Sequence, residues 1–166
     1  KEELGGGVVL TLIHEIDYMY WFFHEVHSVI SMSDKLSDLD ITVEDYAASL
    51  LKFKNNIIGE IHLDWFQRPE FKSCKIRGTK GEIFWNSDDN RVDVYNTNKK
   101  KWETNFETGF SNNIDTYSSY IEELKHFMKC IKQRKETINN LEQGIETLKI
   151  ALAIKKAAKI KKSVNV

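Results

Sequence analysis

Apolar residues follow three regimes along the chain. Near the start, Leu12, Ile16, Met19 and Phe23 succeed one another at steps of four, three and four, the spacing of one helix face. From about His27 to Phe106 that step gives way to short apolar runs at residues 29–32, 46–53, 57–66, 71–78, 82–86, 91–95 and 101–106. Each run predicts a strand. Turn-formers separate them at Asn55-Asn56, Thr79-Lys80-Gly81, Ser87-Asp88-Asp89-Asn90 and Thr97-Asn98. Connections this short suit only antiparallel neighbours, so most of the sheet reads as a meander. Tyr117, Tyr120, Ile121, Leu124, Phe127, Met128 and Ile131 then form a stripe one helix face wide. Asn140 is placed as the N-cap of a second helix carrying Leu141, Ile145, Leu148 and Leu152. Helix, antiparallel strands and two more helices predict an α+β fold, with an open, mainly antiparallel sheet and helices on one face. No repeat or linker interrupts the pattern, so residues 1–166 read as a single domain.

The strands also pose a problem of faces. Along residues 57–66, Ile61, Leu63 and Trp65 point one way while His62, Asp64 and Phe66 point the other. Ile83, Trp85 and Phe84 likewise put large side chains on both parities. If helices cover one face, the other is expected to meet another domain or a second copy of the chain.

Composition narrows the classes without naming a function. At 166 residues the chain can bury about 70% of its unfolded surface. Its 41% apolar and 30% charged residues describe a globular protein rather than a disordered one. A net charge of −1 argues against nucleic-acid binding as a global property. The lysine-rich end, from Lys149 to Lys162, offers a weaker alternative reading as a nucleic-acid-binding helix, against the plainer one of a solvated helix face. No apolar run approaches a membrane span, and no signal peptide is recognisable at the start. Two cysteines, Cys74 and Cys130, make no disulfide framework, so a reducing cytoplasm is expected. The chain opens on Lys1, which suggests that an upstream segment is missing.

Candidate chemistry concentrates in the first helix. His14, Asp17 and Trp21 share one face there, with Leu10 a turn earlier. An imidazole beside a carboxylate is suited to general acid–base work, and equally to a hydrogen-bonded packing pair. His24, His27 and His62 invite a metal reading, but a zinc site needs three or four converging ligands and neither cysteine has a neighbouring ligand at zinc-finger spacing, so no metal is expected. Gly5-Gly6-Gly7 lacks the G-x-G-x-x-G pattern after a strand and reads as a tight or flexible entry to the helix.

Taken together, Gly5-Gly6-Gly7-Val8-Val9-Leu10, His14-Glu15-Ile16-Asp17-Tyr18 and Trp21-Phe22-Phe23 resemble the opening of a known domain. It is the C-terminal domain of the glucose–fructose oxidoreductase / inositol dehydrogenase (Gfo/Idh/MocA) family. The resemblance continues through Val43-Glu44-Asp45, His62 to Pro69, Ile76 to Ile83, and the closing helices Tyr120 to Cys130 and Leu141 to Ala153. It implies a glyceraldehyde-3-phosphate-dehydrogenase-like C-terminal fold, paired in the parent protein with an N-terminal Rossmann domain that binds NAD or NADP. It implies a sugar, cyclitol or related polyol as substrate, and homo-oligomers built through the open sheet face. By the same resemblance His14 is the proton-transfer or substrate-orienting residue with Asp17 one turn on, and Thr11, Gln67 and Arg68 contact substrate. Where many members carry an aspartate one turn before the histidine, this chain has Leu10 and Thr11, so that charge is absent. The glycine-rich loop and catalytic lysine of the Rossmann half lie outside this chain, so no dinucleotide is expected on it and it is not expected to turn over alone. The alternative is a stand-alone, non-catalytic ligand-binding or assembly domain.

Overall fold

The computed structural model of the chain describes residues 1–89, 91–106 and 116–166; the turn position Asn90 and the side chains of Phe106 and Tyr117 lie outside the described residues. By its internal contacts the chain divides into two compact units, one of residues 1–66 with 136–166 and one of residues 67–135. The α+β class and the antiparallel pairing are as the pattern predicts. The expectation of one open sheet is corrected: the strands form two four-stranded sheets, each within its own unit. Alternation along a strand decides which side chains share a face but not which strand lies alongside, so the division carries no local signature.

The first unit begins with two short helices, α1 (Val8–Thr11) and α2 (Ile13–Phe23). The periodic stripe predicts one helix from Leu12, but Leu12 itself is the break, at φ −97° and ψ 33°. Strands β1 (Val26–Asp34), β2 (Tyr46–Phe53) and β3 (Ile58–Asp64) follow as a meander. The long helix α4 (Leu141–Ile160) and the two-residue strand β8 (Val164–Asn165) complete the unit, with strand order β3-β2-β1-β8. Helices α2 and α4 cover one face. Under them lie Val29, Leu51, Phe53, Ile61 and Leu63 of the sheet, with Ile16, Ile150, Ala151, Ile154 and Ala157 of the helices. Ile61, Leu63 and Trp65 thus take the helix side.

The buried face of α4 is not the leucine stripe. Leu141, Ile145, Leu148 and Leu152 are exposed, whereas Thr147, Ile150, Ala151, Ala153, Ile154 and Ala157 are buried. Alanines on the inner side bring the helix backbone close to β1, which a leucine stripe would hold off. Gly59 serves a similar approach on β3, because a Cβ there would fall 2.3 Å from the terminal methyl of Met19.

The opposite face of this sheet is bare. Ile30 pairs with Leu50 across the strands, and Ile30, Met32, Leu50 and Ile58 are all large and exposed, from 49% at Leu50 to 77% at Met32. On the same side Tyr46 meets the His62 ring edge-on at 5.0 Å and stacks on Phe66 at 6.4 Å.

The second unit is a simple meander, β4 (Ser73–Gly78), β5 (Gly81–Asn86), β6 (Arg91–Asn96) and β7 (Lys101–Phe106), followed by α3 (Thr116–Gln133). Its register collects Cys74, Ile76, Ile83, Trp85, Val92 and Val94 on one face. Lys75, Arg77, Glu82, Asp93 and Thr104 share the other with Phe84, Tyr95 and Trp102. On that face Arg77 Nε donates to Glu82 at 2.8 Å, and Thr104 Oγ1 to Asp93 at 2.7 Å.

Candidate functional site

The glycine run meets the rest of its unit at Glu44. Gly7 adopts φ 115°, a region that disfavours any side chain, and a Cβ there would sit 2.2 Å from Glu44 Oε1. The Glu44 carbonyl accepts the Val8 N–H at 2.9 Å, which starts α1, and its carboxylate receives Lys155 Nζ at 2.9 Å on both oxygens. The space beside Gly7 is therefore filled by the Glu44 carboxylate. A carboxylate where a phosphate would lie repels it, and the run follows no strand. These residues do not fit a dinucleotide.

Next to it, Asp45 is fully buried. Burial on its own would push its carboxyl up, yet the Ser37 hydroxyl, the Leu36 N–H at 2.7 Å and the Ser37 N–H at 3.1 Å together hold it below the ordinary carboxylate range. Its backbone carbonyl also takes the Trp65 N–H at 3.0 Å, which ties the end of β3 to the start of β2. Glu44 and Asp45 thus fix the loop after β1, the entry to α1 and the exit of β3 at one point.

From that anchor the helices present the sequence candidates. Ile16 and Met19 of α2 are buried, which turns His14 outward, with 56% of its side chain exposed. Thr11, at the end of α1, is also exposed. His14 Nε2 lies 3.4 Å from Glu15 Oε1, whose side chain is only 14% exposed. Asp17 faces α4 instead: Thr147 Oγ1 donates to its Oδ1 at 2.7 Å and Asn139 Nδ2 to its Oδ2 at 3.3 Å. The structure therefore brings Thr11, His14 and Asp17 onto one helical segment but gives His14 and Asp17 different partners. Gln67 and Arg68 are exposed in the other unit, where Arg68 Nη1 donates to the Gln67 carbonyl at 2.7 Å.

Sequence reasoning missed Glu15, Asn139, Thr147 and the Glu44–Lys155 pair. Only Thr147 left a signal, as a hydroxyl on the same helix face as Ile150, Ala151 and Ile154. His62 Nε2 lies 3.0 Å from Asp64 Oδ2 on the sheet, and among the described residues no group of three or more His, Cys, Asp or Glu could hold a metal ion.

Comparison with known proteins gives this geometry a context. A family model described as the C-terminal alpha/beta domain of an oxidoreductase family matches residues 1–166. No curated protein sequence matches. Among solved structures, levoglucosan dehydrogenase in complex with NADH and L-sorbose superimposes with a TM-score of 0.85 at 19% identity, over 98% of this chain and 50% of that one. The WlbA dehydrogenase from Bordetella pertussis, in complex with NADH and UDP-GlcNAcA, gives 0.76 at 20% identity over 97% of this chain and 48% of that one. An oxidoreductase from Agrobacterium radiobacter in complex with NAD+, L-tartaric acid and magnesium gives 0.78 at 18% identity, over 92% of this chain and 47% of that one. At these identities the superpositions establish the fold, and the chain spans about half the length of the structures it matches. Matched over its whole length, the chain belongs to the Gfo/Idh/MocA oxidoreductase family, as its C-terminal domain.

Proposed function

We propose that this chain is the substrate-side and oligomerisation domain of an NAD(P)-dependent oxidoreductase acting on a sugar, cyclitol or related polyol in a reducing cytoplasm. The family match over residues 1–166 carries the reading. Two neighbours of the same fold, solved with NADH and either L-sorbose or UDP-GlcNAcA, support the cofactor and the sugar-type substrate. The dinucleotide is assigned to the companion half, because Gly7 at the end of the glycine run here is packed against Glu44, and hydride exchange is the dinucleotide's chemistry. This chain contributes the proton. His14, exposed on α2, exchanges it with the reacting hydroxyl or carbonyl, and Thr11 offers a hydroxyl hydrogen bond beside it; Gln67 and Arg68, in the other unit, are substrate contacts by the family resemblance. Two cysteines, Cys74 and Cys130, that make no disulfide framework favour the reducing compartment. The bare sheet face with Ile30, Met32, Leu50 and Ile58 favours self-association.

The test is turnover by the full-length protein with NAD+ and NADP+ on monosaccharides, levoglucosan and myo-inositol. Activity on at least one is expected, and His14→Ala is expected to lower kcat by about 10²–10⁴-fold while leaving cofactor binding intact. No oxidoreduction across the panel, or an unchanged kcat in the folded variant, overturns the reading.

A further inference from the structure

Asp17 stands one turn from His14 on α2, yet both of its oxygens accept hydrogen bonds from the α4 side of the unit. Oδ1 is taken by the Thr147 hydroxyl at 2.7 Å and Oδ2 by the Asn139 amide at 3.3 Å. Thr147 is 3% exposed and lies on the buried face of α4 among Ile150, Ala151 and Ile154. Water therefore does not satisfy its hydroxyl, and the Asp17 carboxylate is its partner. Elsewhere α2 is held by apolar packing of Ile16, Met19 and Phe23, and at its last residue by Asn55 Nδ2 donating to the Phe23 carbonyl at 3.2 Å. Apolar packing is non-directional and tolerates rotation of a helix about its axis. A short charge-assisted hydrogen bond across 130 residues of sequence does not.

We infer that Asp17 is a positioning residue: clasped by Thr147 and Asn139, it sets the rotation of α2 and so the direction in which His14 points. It carries no proton in the reaction. This rests on the assignment of His14 as the proton-transfer residue, and it gives the acid of the His14–Asp17 pair a different task from the one its spacing suggests.

The experiment compares Asp17→Asn, Thr147→Val, Thr147→Ser and the Asp17→Asn/Thr147→Val double variant in the full-length protein. The probe is whichever substrate of the panel above turns over fastest, with its dinucleotide. A misdirected imidazole costs rate rather than ground-state binding. Each of the first two variants should therefore lower kcat by about 5–50-fold with KM changed less than about threefold. Because Asp17→Asn strips the charge from the same clasp from which Thr147→Val strips the hydroxyl, the double variant should be no slower than the slower single. Thr147→Ser, which keeps the hydroxyl, should restore most of the rate. A loss of about 10³-fold in Asp17→Asn beside an unaffected Thr147→Val would make Asp17 the proton carrier and overturn the inference alone. Unchanged kcat in both, with only a lower melting temperature, would reduce the clasp to holding the fold. A panel on which the unaltered protein turns over nothing overturns the oxidoreductase assignment and this inference together.

Discussion

At the scale of single residues, the acids of this chain do different work from the one their sequence neighbourhood suggests. Asp45 closes an acidic stretch that begins at Asp34, yet it is fully buried and collects the Leu36 and Ser37 N–H groups and the Ser37 hydroxyl. Asp45→Ala is therefore expected to destabilise the protein by about 1.5–3 kcal/mol in denaturant unfolding, since it strands two amide donors. The pH dependence follows from the direction of its shift. Its folded carboxyl lies below the ordinary value, so the stabilisation is present above about pH 4 and is lost as pH falls through the folded value. Acid unfolding should accordingly be shallower in Asp45→Asn than in the unaltered protein. Identical acid limbs would remove Asp45 as the anchor. Neither the burial of Asp45 nor the partnership of Asp17 with Thr147 was legible, because each depends on a segment brought in from elsewhere in the chain. His14, by contrast, was legible as an outward residue from Ile16 and Met19 alone.

At the scale of elements, local chemistry and observed boundaries agree closely. The runs at 46–53 and 101–106 are strands β2 and β7 residue for residue, and Asn140 caps α4 as its side chain predicts. The cap is reciprocal: Gln143 N–H donates to Asn140 Oδ1 and Asn140 N–H to Gln143 Oε1, both at 3.0 Å. Asn140→Ala should cost about 1 kcal/mol in an equilibrium unfolding measurement, and Asn140→Ser much less. Equal losses would show that the helix start is held by packing instead. What the periodicity could not tell was which stripe of α4 faces inward, because alanines and leucines both satisfy a helical spacing and only the distance to β1 separates them. Nor could it find β8, two residues long and recognisable only by its pairing with Ser28 and Val29.

At the scale of the whole molecule, the expectation of a second sheet face in need of cover is sharpened to Ile30, Met32, Leu50 and Ile58 on β1–β3. Burying each against a second copy is worth roughly 1.5–3 kcal/mol, enough to support a stable two-fold contact. Sedimentation of the full-length protein should show a dimer or larger assembly, and Ile30→Lys with Leu50→Lys should yield a smaller species of unchanged helix content. A monomer at high micromolar concentration before any substitution would end this proposal. The division of the chain also orders events during synthesis. The meander of residues 67–106 pairs each strand with its sequence neighbour and can close as soon as it leaves the ribosome. The unit carrying His14 is interrupted by that insert. Its core stays open until Ile150, Ile154 and Val164 arrive from the far end of the chain, so the nascent protein carries exposed Leu51, Phe53 and Ile61 for more than eighty residues of translation. Of the two units, the one that holds His14 is thus the later to close and the more in need of a chaperone.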